Sequence, residues 1–254
     1  MCILTFYPPN TSPDLDALAG GALVNPDGHG WAIHAGDRIL TGRGMDPLSV
    51  ITEFAETRTH HPDGPALFHS RLATHGRHDT SNCHPFPLGG DERTVFAHNG
   101  ILPSHVHPLD GDPRSDTRIA AEDFLPRQPF GPLDSWTGHT RMQAWLGADK
   151  AVILTVDPAY KQPAYLLNEH RGHWIAGVWY SNLSFQDARY YQWPTSDLDD
   201  DDGCCLQCYH YTEPDQLHCP SCGHCRACDM PFPHCRCATT GTDPYSDLAD
   251  LETA

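Results

Sequence analysis

Nine of the eleven cysteines in this 254-residue chain lie between Cys204 and Cys237, and only Cys2 and Cys83 lie elsewhere. That distribution divides the chain before anything else is read. A stretch so rich in cysteine and so poor in aliphatic residues cannot close a core of its own, and it folds around bound metal or a disulfide framework. The thiols come mostly in paired C-x-x-C steps, which favours metal. The residues before it carry enough of the 39% hydrophobic content to close one substantial core. Between the two runs Thr195 to Gly203, TSDLDDDDG, acidic and nearly devoid of apolar residues, which is the composition of a solvated linker. It lacks the spaced ligands of a calcium loop. The expected layout is a domain over 2–193, an acidic linker over 194–203, a cysteine-rich metal-binding module over 204–238 and an acidic tail over 239–254.

Charge and hydropathy narrow the partners. The net charge of -17, from 33 acidic against 16 basic residues, repels a phosphate backbone over most of the surface, so nucleic acid is not expected as a partner. The sequence has no apolar run of the length that spans a bilayer, about 18 residues, and MCILTFYPPN lacks the basic start of a secretion signal. A soluble, cytoplasmic protein without membrane association is expected.

Within the first domain, Gly30 to Gly44 alternates around Gly36-Asp37 and predicts a β-hairpin. Ser49 to His60 has an N-cap serine and apolar residues at helical spacing. Ala66 to Thr74 and Thr94 to Leu102 read as strands with reactive residues at their ends, Asp116 to Leu125 and Ser135 to Leu146 as helices, and Ala151 to Asp157, Ala164 to Asn168 and His173 to Trp179 as strands. Strands with helices segregated around them predict an α+β fold rather than a doubly wound sheet.

Cys2 follows the initiator methionine, and removal of Met1 leaves its thiol beside its own α-amine. With a pKa of about 7.7–8.0 such an amine is a usable proton acceptor near neutral pH, so one residue holds nucleophile and base together. Position alone favours an incidental terminal cysteine. The motifs that follow it in order, HSRLATHG (His69 to Gly76), FAHNGIL (Phe96 to Leu102) and SDT (Ser115 to Thr117), change that balance. With them the chain, over roughly residues 2 to 185, resembles the class II, N-terminal-nucleophile (Ntn) glutamine amidotransferases. NPDGHGWAI (Asn25 to Ile33), NCHPF (Asn82 to Phe86) and WYSN (Trp179 to Asn182) resemble further segments of that family.

The resemblance implies a four-layer αββα sandwich of Ntn hydrolase type. It implies that Cys2 is the nucleophile and that Arg71 and Asp116 hold the α-carboxylate and α-ammonium of glutamine. The side-chain amide of Asn99 and the backbone N–H of Gly100 would form the oxyanion hole, while Thr74, His75 and Gly76 line the glutamine pocket. The implied reaction is attack on the side-chain amide, release of ammonia and hydrolysis of a γ-glutamyl thioester, with no catalytic cofactor and no histidine base. The plainer readings of these residues are a surface ion-pair arginine, a helix-capping Asp116 and a tight turn at Asn99-Gly100. Cys83 is read as a buried wall residue. Leu72, where some family members carry an aromatic residue, and Arg118, where glutamate is frequent, depart from the pattern.

In the cysteine-rich stretch, Cys205-x-x-Cys208, ten intervening residues and Cys219-x-x-Cys222 have the spacing of a short zinc ribbon. Cys225-x-x-Cys228 and Cys235-x-Cys237 supply a second set of four thiolates. Two structural zinc ions are expected, with an iron–sulfur cluster as the lesser alternative. The spacing does not choose between sequential and crossed pairing, nor exclude Cys204, His218, His224 or His234 as a ligand. The expected function is a glutaminase that supplies ammonia to a separate acceptor-activating synthetase or transferase. Two alternatives stand beside it: an Ntn hydrolase of another amide such as a γ-glutamyl conjugate, and a non-catalytic zinc adaptor on an amidotransferase scaffold.

Overall fold

The computed structural model describes residues 2–187 and, further along, 216–219, 224, 225 and 227. Backbone contacts divide the chain into two units, Met1–Gln192 and Trp193–Ala254.

The first unit is a mixed α/β structure built on two antiparallel sheets. The larger has six strands in the order β3-β2-β4-β1-β10-β9. They are β1 (Ile3–Tyr7), β2 (His29–His34), β3 (Ile39–Gly44), β4 (Ala66–Ser70), β9 (His173–Ile175) and β10 (Val178–Tyr180). The smaller has four, in the order β5-β6-β7-β8, from β5 (Phe86–Leu88), β6 (Asp91–Asn99), β7 (Lys150–Thr155) and β8 (Ala164–Leu167). The helices are α1 (Leu15–Val24), α2 (Pro47–His60), α3 (Asp116–Ile119), α4 (Trp136–Leu146) and α5 (Ser184–Asp187).

Period-two alternation along each strand sorts the apolar residues into separate cores. Leu4 and Phe6 of β1, Ala32, Leu67 and Trp179 pack with Val95, Ala97, Val152 and Leu154, so one core joins the two sheets. The alternate residues Ile3, Tyr7, Trp31, Ile33, Phe68 and Tyr180 pack instead with Leu18 of α1, Val50 and Phe54 of α2 and Phe185 of α5. Phe96, Ile153, Tyr165 and Leu167 of the smaller sheet pack with Ala120, Leu125 and, from α4, Met142 and Leu146. Leu67 is fully buried, so Leu67→Ala opens a cavity costing about 2–5 kcal/mol.

Several expectations shift in detail. The β2–β3 hairpin forms as read, with Gly36 at φ +83° in its turn. The cap of α2 is Asp46 rather than Ser49: its carboxylate accepts from Ser49 N at 3.0 Å, and Pro47 occupies the first turn, where a missing N–H costs nothing. The helix beginning at Asp116 is α-helical only to Ile119 and continues as a π-helical turn, Ala120–Phe124. The stretch His173 to Trp179 is two strands joined through Ala176 and Gly177, at φ +48° and +81°. Among the described residues no helix is long and apolar enough to cross a membrane.

Arg58 of α2 is 2% exposed and forms no ion pair with a carboxylate among the described residues; its guanidinium donates to the carbonyls of Pro8, Thr11, His61 and Gly64. It fastens α2 to the segment after β1 and to the approach to β4.

Of the cysteine-rich stretch, Cys219 and Cys225 are buried, and a single antiparallel bridge pairs His218 with Cys225. Cys219 N–H donates to the His224 carbonyl at 2.9 Å, which sets the 218–219 and 224–225 segments side by side. The other expected zinc ligands, Cys205, Cys208, Cys222, Cys228, Cys235 and Cys237, lie outside the described residues, as do the expected linker and tail. Among the described residues no group of three or more metal-binding side chains comes together.

Candidate active site

Strand register decides what meets Cys2. β1 runs antiparallel to β4 with Ile3 opposite Ser70, so the residue before β1 lies beside the residues after β4. Leu72 N–H points to Cys2 Sγ at 3.4 Å, and the thiol lies 3.5 Å from the Leu72 carbonyl. The partner of the thiol at this position is thus backbone, and replacing an aromatic side chain by leucine leaves it in place. On the other flank β10 pairs with β1, Thr5 opposite Tyr180, which carries Ser181 and Asn182 alongside Leu4 and Cys2. Asn182 Nδ2 donates to the Cys2 carbonyl at 2.8 Å.

The pocket at this end of the sheet is lined by Cys2, Arg71, Leu72, Thr74, His75, His84, His98, Gly100, Ser115, Asp116 and Thr117. Six residues assigned by resemblance, Cys2, Arg71, Thr74, His75, Gly100 and Asp116, therefore converge on one cavity. Gly76 and Asn99 are not among its lining residues. Gly76, at φ +77°, lies on the Arg114–Ser115 backbone so closely that a Cβ there would stand 2.7 Å from Ser115 N. Asn82 reinforces the same contact: its Oδ1 accepts from Ser115 N at 2.8 Å and its Nδ2 donates to the carbonyls of Arg77 and Pro113. Asn99 Nδ2 lies 2.8 Å from Ser181 Oγ.

The cavity leaves only about 10 Å³ for the centre of a water-sized sphere, room for about one water molecule. The rim accounts for this. The Arg71 guanidinium, 3% exposed, donates to the carbonyls of Arg77 at 3.0 Å and His75 at 2.5 Å, drawing the segment after β4 over the pocket. Asp116 is held from two sides, Oδ2 accepting from Leu102 N at 2.9 Å and Oδ1 from Thr117 N at 2.8 Å. Ser115 caps α3, so the carboxylate projects from a fixed helix start.

At Gly100 the backbone has φ +145°, and a Cβ would stand 2.0 Å from Asp149 Cγ. Only glycine satisfies both conditions. The Asn-Gly pair ends β6 without forming a two-residue hairpin, since β6 pairs with β5 and β7. Beside it, buried His98 contacts Asp149 Oδ2 through Nε2 at 3.1 Å and Thr117 Oγ1 through Nδ1 at 3.2 Å.

Burial pushes the Cys2 thiol pKa up; the Leu72 N–H and the Arg71 charge oppose this, and Asp116 adds to it. A thiol held in its neutral form needs a base to become a nucleophile. His69 and His84 are held neutral as well. Burial lowers His69 to about 3 and His84 well below the ordinary imidazole range. Their rings lie tilted at 32° with centroids 3.9 Å apart, and neither ring nitrogen of His84 has a hydrogen-bond partner among the described residues. Sequence reasoning gave no pocket role to His98, Ser115 or Thr117, and reached His84 only through the segment NCHPF. The signal was present, because each lies inside a motif already singled out. Cys83 is buried as read, its sulfur filling the space a Cβ on Gly28 would need.

No family model matches this chain. It is 31% identical over 134 residues to the glutamine–fructose-6-phosphate aminotransferase (isomerizing) of Leifsonia xyli subsp. xyli strain CTCB07, a match covering 48% of this chain and 21% of that protein. The chain thus spans about a fifth of the length of that curated relative. A solved structure of glutamine phosphoribosylpyrophosphate amidotransferase from B. subtilis, complexed with ADP and GMP, aligns at TM-score 0.45 and 16% identity, covering 74% of this chain and 43% of that one. A glutamine aminotransferase class-II domain protein from Silicibacter pomeroyi aligns at TM-score 0.32 and 17% identity, covering 61% of this chain and 73% of the other.

Proposed function

We propose that this protein is a class II glutamine amidotransferase that hydrolyses the side-chain amide of glutamine through Cys2. The observation that carries the proposal is the convergence of Cys2, Arg71, Thr74, His75, Gly100 and Asp116, from separate stretches of sequence, on one pocket. The 31% identity to a protein named as a glutamine-using aminotransferase supports it. The three apolar cores, one between the sheets and one between each sheet and its helices, support an αββα sandwich of Ntn hydrolase type.

Glutamine enters when the segment after β4 lifts and Arg71 exchanges the carbonyls of His75 and Arg77 for the substrate carboxylate, a planar acceptor matched to its fork of donors. Asp116 takes the α-ammonium. With both charges clamped, the δ-amide is presented to Cys2. The α-amine exposed by removal of Met1 accepts the thiol proton, which offsets the effect of burial on the thiol. The sulfur attacks the amide carbon, and the negative oxygen of the tetrahedral intermediate is held by Gly100 N–H and Asn99 Nδ2. The protonated amine passes its proton to the departing nitrogen, releasing ammonia and leaving the γ-glutamyl thioester. Water, deprotonated by the same amine, hydrolyses it to glutamate. Thr74, His75 and Gly76 shape the rim. Ammonia is lost to solvent unless delivered, so a separate acceptor-activating synthetase or transferase is the proposed partner.

The cysteine-rich stretch is proposed to hold two structural zinc ions on Cys205, Cys208, Cys219, Cys222, Cys225, Cys228, Cys235 and Cys237, a staple rather than a reaction centre. Its C-x-x-C clustering suits a reducing compartment, and the cytoplasm is the proposed location.

Intact-mass measurement before and after treatment with a glutamine-mimicking electrophile, with metal analysis of the same sample, tests the reading. The expected result is a mature chain lacking Met1, one adduct on Cys2, two zinc ions, and hydrolysis of glutamine in preference to γ-glutamyl conjugates. An active enzyme that retains Met1, or a Cys2→Ala variant of undiminished activity, would refute it.

A further inference from the structure

Two consecutive residues at the end of β10 touch both halves of the proposed machinery. Ser181, 1% exposed, extends the pairing with β1: its N–H donates to the Leu4 carbonyl at 2.8 Å, and its Oγ accepts from Leu4 N at 2.8 Å. The same Oγ lies 2.8 Å from the Asn99 side-chain amide. Asn182 donates from Nδ2 to the Cys2 carbonyl at 2.8 Å, and its Oδ1 accepts from Ser184 N at 3.1 Å, which fixes which end of that amide faces Cys2. One dipeptide thus holds the backbone of the nucleophile and, through a side chain, the oxyanion donor.

Hydrogen-bond balance sharpens the second contact. The Oγ of Ser181 already accepts from Leu4 N–H, so its hydroxyl proton needs an acceptor. With Asn99 Nδ2 facing Ser181, that proton has none among these partners, and Asn99 Oδ1 is left buried without a donor among the described residues. The nitrogen and oxygen of a primary amide occupy nearly the same outline, and the hydrogen-bond network assigns them. Exchanging the two lets Ser181 O–H donate to Asn99 Oδ1 and puts the NH2 group in the position that lacks a partner. That group then presents N–H donors beside Gly100, where a developing oxyanion would accept them.

We infer that Ser181 and Asn182 are positioning residues that set the Asn99 amide and the Cys2 backbone at a fixed separation, Ser181 acting as the donor that orients Asn99. The inference rests on the glutaminase reading. A donor displaced by about 1 Å can cost on the order of 10²-fold in rate, whereas substrate affinity rests on Arg71 and Asp116.

The test uses the full chain and the variants Ser181→Ala, Ser181→Thr and Asn182→Ala. The readouts are kcat and KM for glutamine, thermal unfolding, and the rate of Cys2 alkylation by iodoacetamide, which needs no oxyanion hole. Expected for Ser181→Ala is a kcat about 10- to 100-fold lower, with KM and alkylation within twofold of wild type and most of the kcat recovered in Ser181→Thr. Asn182→Ala is expected to lower kcat and change alkylation several-fold. If it does not fold, Asn182→Asp, which keeps the acceptor for Ser184 N, takes its place. A Ser181→Ala variant with kcat within twofold of wild type, or with kcat and alkylation falling together, overturns the inference. Failure of the wild-type protein to hydrolyse glutamine removes the functional reading instead; unchanged alkylation in Asn182→Ala then overturns the positioning role by itself.

Discussion

Replacing Asp116 by asparagine keeps the side-chain outline and removes one charge from the pocket. Both carboxylate oxygens accept backbone N–H groups, Leu102 at 2.9 Å and Thr117 at 2.8 Å. An amide keeps one of these bonds and turns an NH2 toward the other donor. A hydrogen bond to a charged acceptor contributes about 1.5–3 kcal/mol, so the unliganded protein should lose about that much stability. For a unit of this size each kcal/mol shifts the melting temperature by about 2–4 °C, giving a drop of about 3–12 °C. A second loss appears only with substrate, because the α-ammonium no longer meets an anion. At 1.4 kcal/mol per tenfold, the same energy range corresponds to a KM for glutamine raised by about ten- to a hundredfold. Lost ground-state binding that is also lost in the transition state leaves kcat nearly unchanged. Steady-state glutamate release and a thermal melt measure both effects. A variant that melts lower but keeps its KM within twofold would show that Asp116 is only a helix-start anchor, and the head-group assignment would fail with it.

Gly100→Ala should reduce kcat by about 10²-fold or more while the protein still folds, because the new methyl meets the Asp149 carboxylate and displaces the donor N–H; activity within tenfold of wild type in a glutaminase assay counts against the oxyanion role. Arg58→Met leaves four carbonyls without their charged donor, and chemical or thermal unfolding should register a loss of about 3 kcal/mol or more, with KM and kcat of the folded fraction unchanged. Histidines buried in neutral form make the fold sensitive to mild acid. His69 has a folded pKa of about 3 against about 6.5 unfolded, so its contribution is complete above pH 6.5 and declines by about 1.4 kcal/mol per unit as pH falls toward 3. His84 and His29 are shifted in the same direction by burial. A melting temperature that stays flat between pH 7 and pH 5 contradicts this.

Most residues that the sequence singled out for one site line one pocket, whereas parts of the fold around them were not legible. HSRLATHG, FAHNGIL and SDT were legible because each spans the end of a strand or opens a helix, where register and capping leave recognisable residue types. Helix α1 went unread: LDALAGGALV is apolar or small almost all round and offers no contrast between faces, although Asp14 caps it by accepting from Ala17 N. The break between β9 and β10 was hidden because Ala176 adopts a positive φ that its residue type does not announce. The π-helical continuation after Ile119 has no sequence signature at all. His84 was reached only as part of NCHPF, since the implied reaction needs no histidine base. Its burial against His69 of β4 and its place in the pocket wall depend on how the segment before β5 packs, which residue type does not announce. The spacing of the cysteines predicts metal, and most of those thiols lie outside the described residues.

The neighbours of β1 in the larger sheet come from far along the chain, β10 most of all, and the Asn182–Cys2 contact joins residues 180 positions apart. Loop-closure entropy disfavours such a contact until nearly everything between is in place. The surroundings of the thiol are thus completed late in folding, when β10 closes against β1. Until that strand slots in, Cys2 lacks the Asn182 bond that holds its backbone, and any chemistry that needs a fixed sulfur waits for β10.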